Sequence, residues 1–284
     1  SGLNSQRTFA ETKSVRRGFP IMKPSDTRIN ANPALVGAVI VAALLQIVTT
    51  SLPALGIGDP IGSQSNAVRT LITPAGWAFS IWGPLFAGTI AFAIYQALPG
   101  QRTNRLLAHI RLPAAGAFLG NALWALYTQF FGLAVFSAVI IILTLSCLIA
   151  IYRVFARWEP KFSTGERWLA VLPLGALAAW LTAATIVNIA ATLLFYGVDG
   201  GEAAPLISAL VVLTGGIIAC LALARGRGNP LYAVVFLWAL SAIYAAGGQR
   251  AEPVAIATGV AALLVIVGAV IGLRSAGLRR WFGG

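Results

Sequence analysis

Charge is scarce in this chain. Charged residues make up 10% of its 284 residues and hydrophobic ones 58%, against about 25% and about 45–50% in soluble domains. That balance excludes a soluble enzyme and a disordered tail, and the mean hydropathy of +0.83 agrees. Thiols are equally scarce. Cys147 and Cys220 both lie inside apolar runs, where cysteine serves as a small core hydrophobe, so a disulfide scaffold is excluded. The one histidine, His109, has no second imidazole to complete a metal pair. It reads as a solvated interfacial residue, with axial ligation of a tetrapyrrole metal as the alternative. No G-x-S-x-G, phosphate-binding loop or dinucleotide glycine fingerprint occurs in context. The expectation is no catalytic residue, no metal site and no conventional enzyme.

Long apolar runs are what the chain has in abundance. Segments near the ~20 residues needed to cross a bilayer recur along nearly its whole length. They fall at 33–56, 74–98, 111–131, 133–155, 167–196, 204–224, 230–247 and 253–273. An all-α, polytopic membrane protein of about eight transmembrane helices is expected. The third and fourth spans join at Gly132 with almost no linker, and the long fifth span is expected to tilt, or to bend near Pro173.

The basic residues test that count. With eight spans, both termini and the even-numbered loops share one side, and that side collects eighteen of the twenty Lys and Arg residues. Only Arg69 and Arg250 fall on the other. The positive-inside rule then makes the N- and C-termini cytoplasmic. Trp158, Trp168 and Trp281 sit among the basic residues, as interfacial anchors do. Topology therefore accounts for the net charge of +12, and nucleic acid is not an expected partner. No Asp, Glu, Lys or Arg falls in the middle of a span, which speaks against an ion-coupled pump. A facilitator for an apolar molecule stays open.

Four regions follow: a basic cytoplasmic N-terminal segment (1–32), a five-helix unit (33–196), three further helices (204–273) and a basic cytoplasmic tail (274–284). Residues 1–21 are polar and lack an apolar h-region, so they are no secretory signal. They read as a leader or upstream extension ahead of Met22, or as a basic tail. In the last three helices, Trp238 and Tyr244 either extend a cavity or fill the bundle. The G-x-x-x-G pairs Gly116/Gly120 and Gly268/Gly272 suit internal helix packing.

Aromatic and amide side chains carry the functional signal. The second span enters from the outer side through Thr73-Pro74-Ala75-Gly76-Trp77-Ala78-Phe79-Ser80-Ile81-Trp82-Gly83-Pro84-Leu85-Phe86. Trp82 and Phe86, four apart, share a helix face. Asn121, Trp124, Tyr127 and Phe131 form one stripe on the third span, and Trp180, Ala184 and Asn188 another on the fifth. At ~1.5 Å per residue, Asn121 and Trp180 lie near mid-membrane and Asn188 toward the outer face. Beneath the first loop (about 57–73), such residues suit a cavity for a flat hydrophobic ligand. The same spacing equally suits aromatic helix packing with interhelical amide bonds.

Thr73–Phe86, Asn121-Ala122-Leu123-Trp124 with Phe130-Phe131-Gly132, and Leu172-Pro173 followed by Trp180–Thr185 and Asn188 together resemble the TspO/translocator-protein family of tryptophan-rich sensory proteins and peripheral benzodiazepine receptors. The resemblance covers about 33–196, in the family's helix order, and is to long bacterial variants with extra C-terminal helices. It implies a pocket for porphyrins and other tetrapyrroles, and a homodimer. By position, that pocket takes Trp77, Trp82, Phe86, Asn121, Trp124, Trp180, Ala184 and Asn188, with Tyr127 on the same stripe. The family's Pro-Pro doublet is Pro74-Ala75 here, and its late Pro-Tyr is Pro173-Leu174. Its sterol motif is absent from the fifth span, while Leu148-x3-Tyr152-x4-Arg157 in the fourth fits the sterol-contact pattern.

The expected function is an integral binding or sensory protein for a planar hydrophobic ligand, a tetrapyrrole first. No cofactor is required; a porphyrin, carotenoid or lipid is the expected bound molecule. The alternatives are a facilitator that moves such a ligand, or an accessory or assembly subunit of a larger, pigment-bearing membrane complex. Expected partners are the ligand, the bilayer, and a second copy or such a complex. The expected location is a bacterial cytoplasmic membrane.

Overall fold

The computed structural model describes residues 31–277 and 279–282. The leader reading of 1–21, and nearly all of the N-terminal segment, lie outside these residues. Among the described residues, eight helices are long and apolar enough to cross a membrane: α1 (Pro33–Leu55), α2 (Gly76–Ala97), α3 (Arg105–Phe131), α4 (Val135–Arg157), α5 (Thr164–Phe195), α6 (Gly201–Arg225), α7 (Pro230–Gly248) and α8 (Glu252–Ser275). No strand occurs among the described residues. The chain is an all-α, multi-pass integral membrane protein.

Local sequence explains where the odd-numbered helices begin. Each starts on the basic side behind a polar cap that satisfies an orphan backbone N–H. Asn32 accepts from the Ala34 amide at 3.0 Å, Asn104 from Leu107 at 3.1 Å and Asn229 from Tyr232 at 3.2 Å. At α5, Ser163 and Glu166 form a reciprocal capping box. The first turn of α5 then widens into a π-helical turn, Arg167–Val171, immediately before Pro173. A π turn at that point accommodates the proline that a regular ladder would reject.

Helix α5 is the most buried span and forms the centre of the bundle. It packs on α4 and α7, and α2 leans on its first half. Beyond α4, helices α3 and α1 continue the row; beyond α7, α8 pairs lengthwise with α6. Both G-x-x-x-G pairs lie inside this packing. Gly120 faces Thr144 of α4, and Gly268 faces the Cys220 backbone of α6. A side chain at either position would force the helices apart.

One boundary differs from expectation and brings a charge indoors. Helix α3 begins at Arg105 rather than near residue 111, because Asn104 provides the cap. Arg111 therefore sits two turns inside the helix and is fully buried. Its guanidinium donates to Gln96 Oε1 (3.0 Å), the Gln96 carbonyl (3.1 Å) and the Gln101 carbonyl (2.8 Å). These acceptors lie at the end of α2 and in the turn that follows it, so the cation closes that helix end from the side.

On the same side, Trp281 is buried and donates through Nε1 to the Arg227 carbonyl at 2.8 Å. Arg280 donates to the carbonyls of Phe155 and Trp158 and lies over the Phe162 ring, 4.4 Å from its centroid. Burial, with Arg227 nearby, pushes its guanidinium pKa down to about 10. The tail thereby ties the α4–α5 loop to the α6–α7 turn.

Candidate functional site

A cavity lies in the half of the bundle away from the basic side. Trp124, Trp180, Ala184, Val187 and Asn188 wall it from α3 and α5. Phe79 enters from the start of α2, and Ala239 and Ile243 close it from α7. Its roof is a short loop helix, Ile61–Ala67, which contributes Ile61 and Ser65. The cavity volume is about 50 Å³. Since one water needs about 10–15 Å³ by the same kind of measure, the space holds a few waters and is closed to a larger molecule in this conformation.

The nine residues singled out by sequence divide into four in the cavity wall and five outside it. Trp124, Trp180, Ala184 and Asn188 line the cavity. Trp82 stands one layer behind, edge-on to Trp180 with ring centroids 6.1 Å apart and stacked on Phe86 at 5.1 Å. Trp77 is half-exposed and meets Trp238 edge-on at 4.7 Å. Tyr127 stacks on Phe131 at 5.0 Å and faces Phe136 of α4. Asn121 points its amide at Gln46 Oε1 (3.2 Å), and Gln46 in turn donates to Thr89 Oγ1 (2.8 Å). That buried chain joins α3, α1 and α2.

Asn188 is at the wall, but its amide is already engaged. Its Oδ1 accepts from Trp124 Nε1 at 2.8 Å, and its Nδ2 donates to Ser137 Oγ (2.8 Å) and Thr192 Oγ1 (3.2 Å). It clamps α3, α4 and α5 together and has no free donor for a ligand. Trp180 is the opposite case. Its ring sits between Phe79, at 6.4 Å, and Trp82, and its Nε1–H is buried with no partner. A buried unpaired donor is costly, by about 1–3 kcal/mol.

Sequence reasoning passed over Phe79 and the α7 residues. Residues Gly76–Ile81 form a 3₁₀ turn, in which positions three apart eclipse. A three-residue period through the quoted motif would have paired Phe79 with Trp82. Ala239 and Ile243 are four apart on one face, but small apolar residues in an apolar helix carry no distinguishing signal. Helix α7 also holds the segment between the roof helix and α2. Trp238 Nε1 donates to the Ala78 carbonyl (3.2 Å) and the Ala75 amide to the Ala242 carbonyl (3.0 Å). Its last turn, Tyr244–Gly248, is π-helical, and Gly247 lies so close to the Leu71 carbonyl that any Cβ would overlap it.

His109 is exposed at the basic end of α3, its Nδ1 2.7 Å from the Arg105 carbonyl and its ring edge-on to Trp158. No cluster of three or more metal-ligating side chains occurs among the described residues.

Comparison with curated proteins and with solved structures returns no match. The family described as TSPO-like protein matches residues 34–271. That span reaches past the five helices of the motif resemblance and into all eight. With the match covering most of the chain, and the aromatic-walled cavity built across α2, α3, α5 and α7, this chain belongs to the TSPO-like protein family.

Proposed function

We propose that this chain is a membrane receptor for a flat, apolar, ring-bearing ligand, with a tetrapyrrole as the leading class. The observation that carries this reading is the cavity walled by Phe79, Trp124 and Trp180, together with a Trp180 indole N–H that is buried and has no partner. Aromatic walls favour a planar partner through offset or edge-on contacts. The indole N–H groups of Trp180 and, one layer behind it, Trp82 are both unpaired, which favours a partner with an acceptor on its buried edge. Entry requires the loop helix to lift. That loop is held to the bundle by few bonds, among them the Asp59 amide to the Gln129 carbonyl at 3.0 Å, and it is flanked by the positive-φ residues Gly56 and Gly58. In this reading the protein acts by binding, in a bacterial cytoplasmic membrane, singly or as a homodimer, and not by catalysis.

The test is titration of the purified full chain in mild detergent with protoporphyrin, read by quenching of tryptophan fluorescence. Saturable quenching is expected. Trp124→Phe and Trp180→Phe should each weaken it by about two- to twelve-fold, the equivalent of about 0.5–1.5 kcal/mol of aromatic contact. Ala184→Phe fills the cavity and should abolish saturation. Trp168→Phe, in an exposed residue on the basic side, should change nothing. Equal losses at Trp168 and the cavity tryptophans would mean partition into detergent and would overturn the reading. Flux of the ligand in proteoliposomes would establish the facilitator instead.

A further inference from the structure

A second cleft opens on the basic side, between α4, α5, α6 and α7, away from the aromatic cavity. Its volume is about 370 Å³. The deep part is apolar, with Leu145 and Ile149 from α4 facing Ile218 and Leu221 from α6. The rim holds Arg153 of α4 and Arg225 of α6, both exposed. Arg153 lies eight residues beyond Leu145 and Arg225 seven beyond Ile218, so the cleft runs about 10–12 Å into the membrane from its charged mouth.

Two features point to an occupant. First, the rim arginines are not neutralised from within: the one ion pair among the described residues is Arg227–Glu159 (2.6 Å). Second, the hydroxyl of Tyr152, on the cleft wall, is buried with no hydrogen-bond partner. The other hydroxyls there are engaged, Tyr232 donating to Thr182 Oγ1 at 3.2 Å and Thr182 to the Ala178 carbonyl at 2.7 Å. Two cations and an unspent hydroxyl at the mouth, the hydroxyl against Gly226, above an apolar slot match the polar and apolar parts of an anionic glycerophospholipid. Basic pockets between helices on the cytoplasmic side are the usual form of such sites.

We infer that this cleft binds one anionic glycerophospholipid, its phosphate between Arg153 and Arg225, an ester carbonyl at Tyr152 Oη and the start of an acyl chain along Leu145 and Ile218. A zwitterionic lipid lacks the net charge that the two arginines select, and a sterol lacks the phosphate.

Native mass spectrometry of the full chain, with dioleoyl phosphatidylglycerol and dioleoyl phosphatidylcholine added in turn, tests this. Retention of one phosphatidylglycerol in preference to phosphatidylcholine is expected. Arg153→Gln and Arg225→Gln should each lower that preference about five-fold, since a basic residue near the surface contributes about that factor. Tyr152→Phe should lower phosphatidylglycerol retention several-fold. Arg225→Lys keeps the charge and should keep most of the binding, which separates loss of charge from loss of fold. Arg274→Gln, in an exposed arginine on α8 outside the cleft, should leave retention unchanged. Equal retention of the two lipids, an equal loss from Arg274→Gln, displacement by a sterol, or no effect of Tyr152→Phe would each overturn the assignment.

Discussion

Replacing Asn188 by leucine tests whether the polar cluster at the cavity wall is a clamp. The side chain joins three helices through Trp124 Nε1, Ser137 Oγ and Thr192 Oγ1, and all four residues are buried. Two of these partners survive its loss. Ser137 still donates to the Ala134 carbonyl (2.7 Å) and Thr192 to the Leu133 carbonyl (2.9 Å). The Trp124 indole has no substitute acceptor, so the cost concentrates in one stranded N–H, about 1–3 kcal/mol. Interhelical side-chain bonds measured in membranes average about 0.6 kcal/mol, with about 1.7 as the upper end, which places Asn188→Leu near 1–2 kcal/mol. Trp124→Phe strands the Asn188 carbonyl instead. The double variant removes donor and acceptor together and should cost less than the sum of the two singles by about 0.6–1.7 kcal/mol. Equilibrium unfolding in mixed detergent micelles measures all three. Additivity of the two substitutions would refute the clamp and reopen Asn188 as a ligand-orienting residue.

Other outcomes follow from the same packing. Gly247→Ala puts a methyl group onto the Leu71 carbonyl; amide exchange over residues 70–75 should accelerate, while α3 and α4 stay protected. Arg111→Met removes three hydrogen bonds that close the end of α2 and should cost about 1.5–3 kcal/mol, the range for bonds to a charged group; an unchanged melting temperature would show the guanidinium to be a passenger. The eighteen-to-two division of basic residues predicts that a cysteine at position 161 is labelled only from the cytoplasm, and one at position 200 only from outside.

The helices were legible because a membrane span imposes length and apolarity over some twenty residues, and eight such segments cannot be hidden in 284 residues. Their ends were less so. Arg111 reads as a loop residue because an isolated arginine in a membrane is expensive. What makes it affordable is the set of three carbonyl and amide acceptors at the end of α2, and acceptors on another helix leave no mark near residue 111. The cavity shows the same limit. Periodicity places Trp124, Trp180, Ala184 and Asn188 on the faces that line it, yet it cannot say which polar groups are already taken. Asn188 and Trp180 look alike on a helical stripe, but one has a full set of hydrogen bonds and the other has none.

The part of the site furthest from sequence reasoning is α7, and physical chemistry explains why. Its contribution is small apolar surface, Ala239 and Ile243, together with backbone carbonyls and a glycine pair. None of these differs in composition from the rest of an apolar helix. Yet α7 supplies both the fourth wall and the surface on which the segment from Leu71 to Ala78 is held. That segment and the cavity therefore share one support, helix α7. A regular α turn at Tyr244–Gly248 would rotate Gly247 and bring a different residue toward the Leu71 carbonyl. A π turn at that point fits the habit of such turns to occur at functional positions. It places α7 in direct contact with the segment that follows the loop helix.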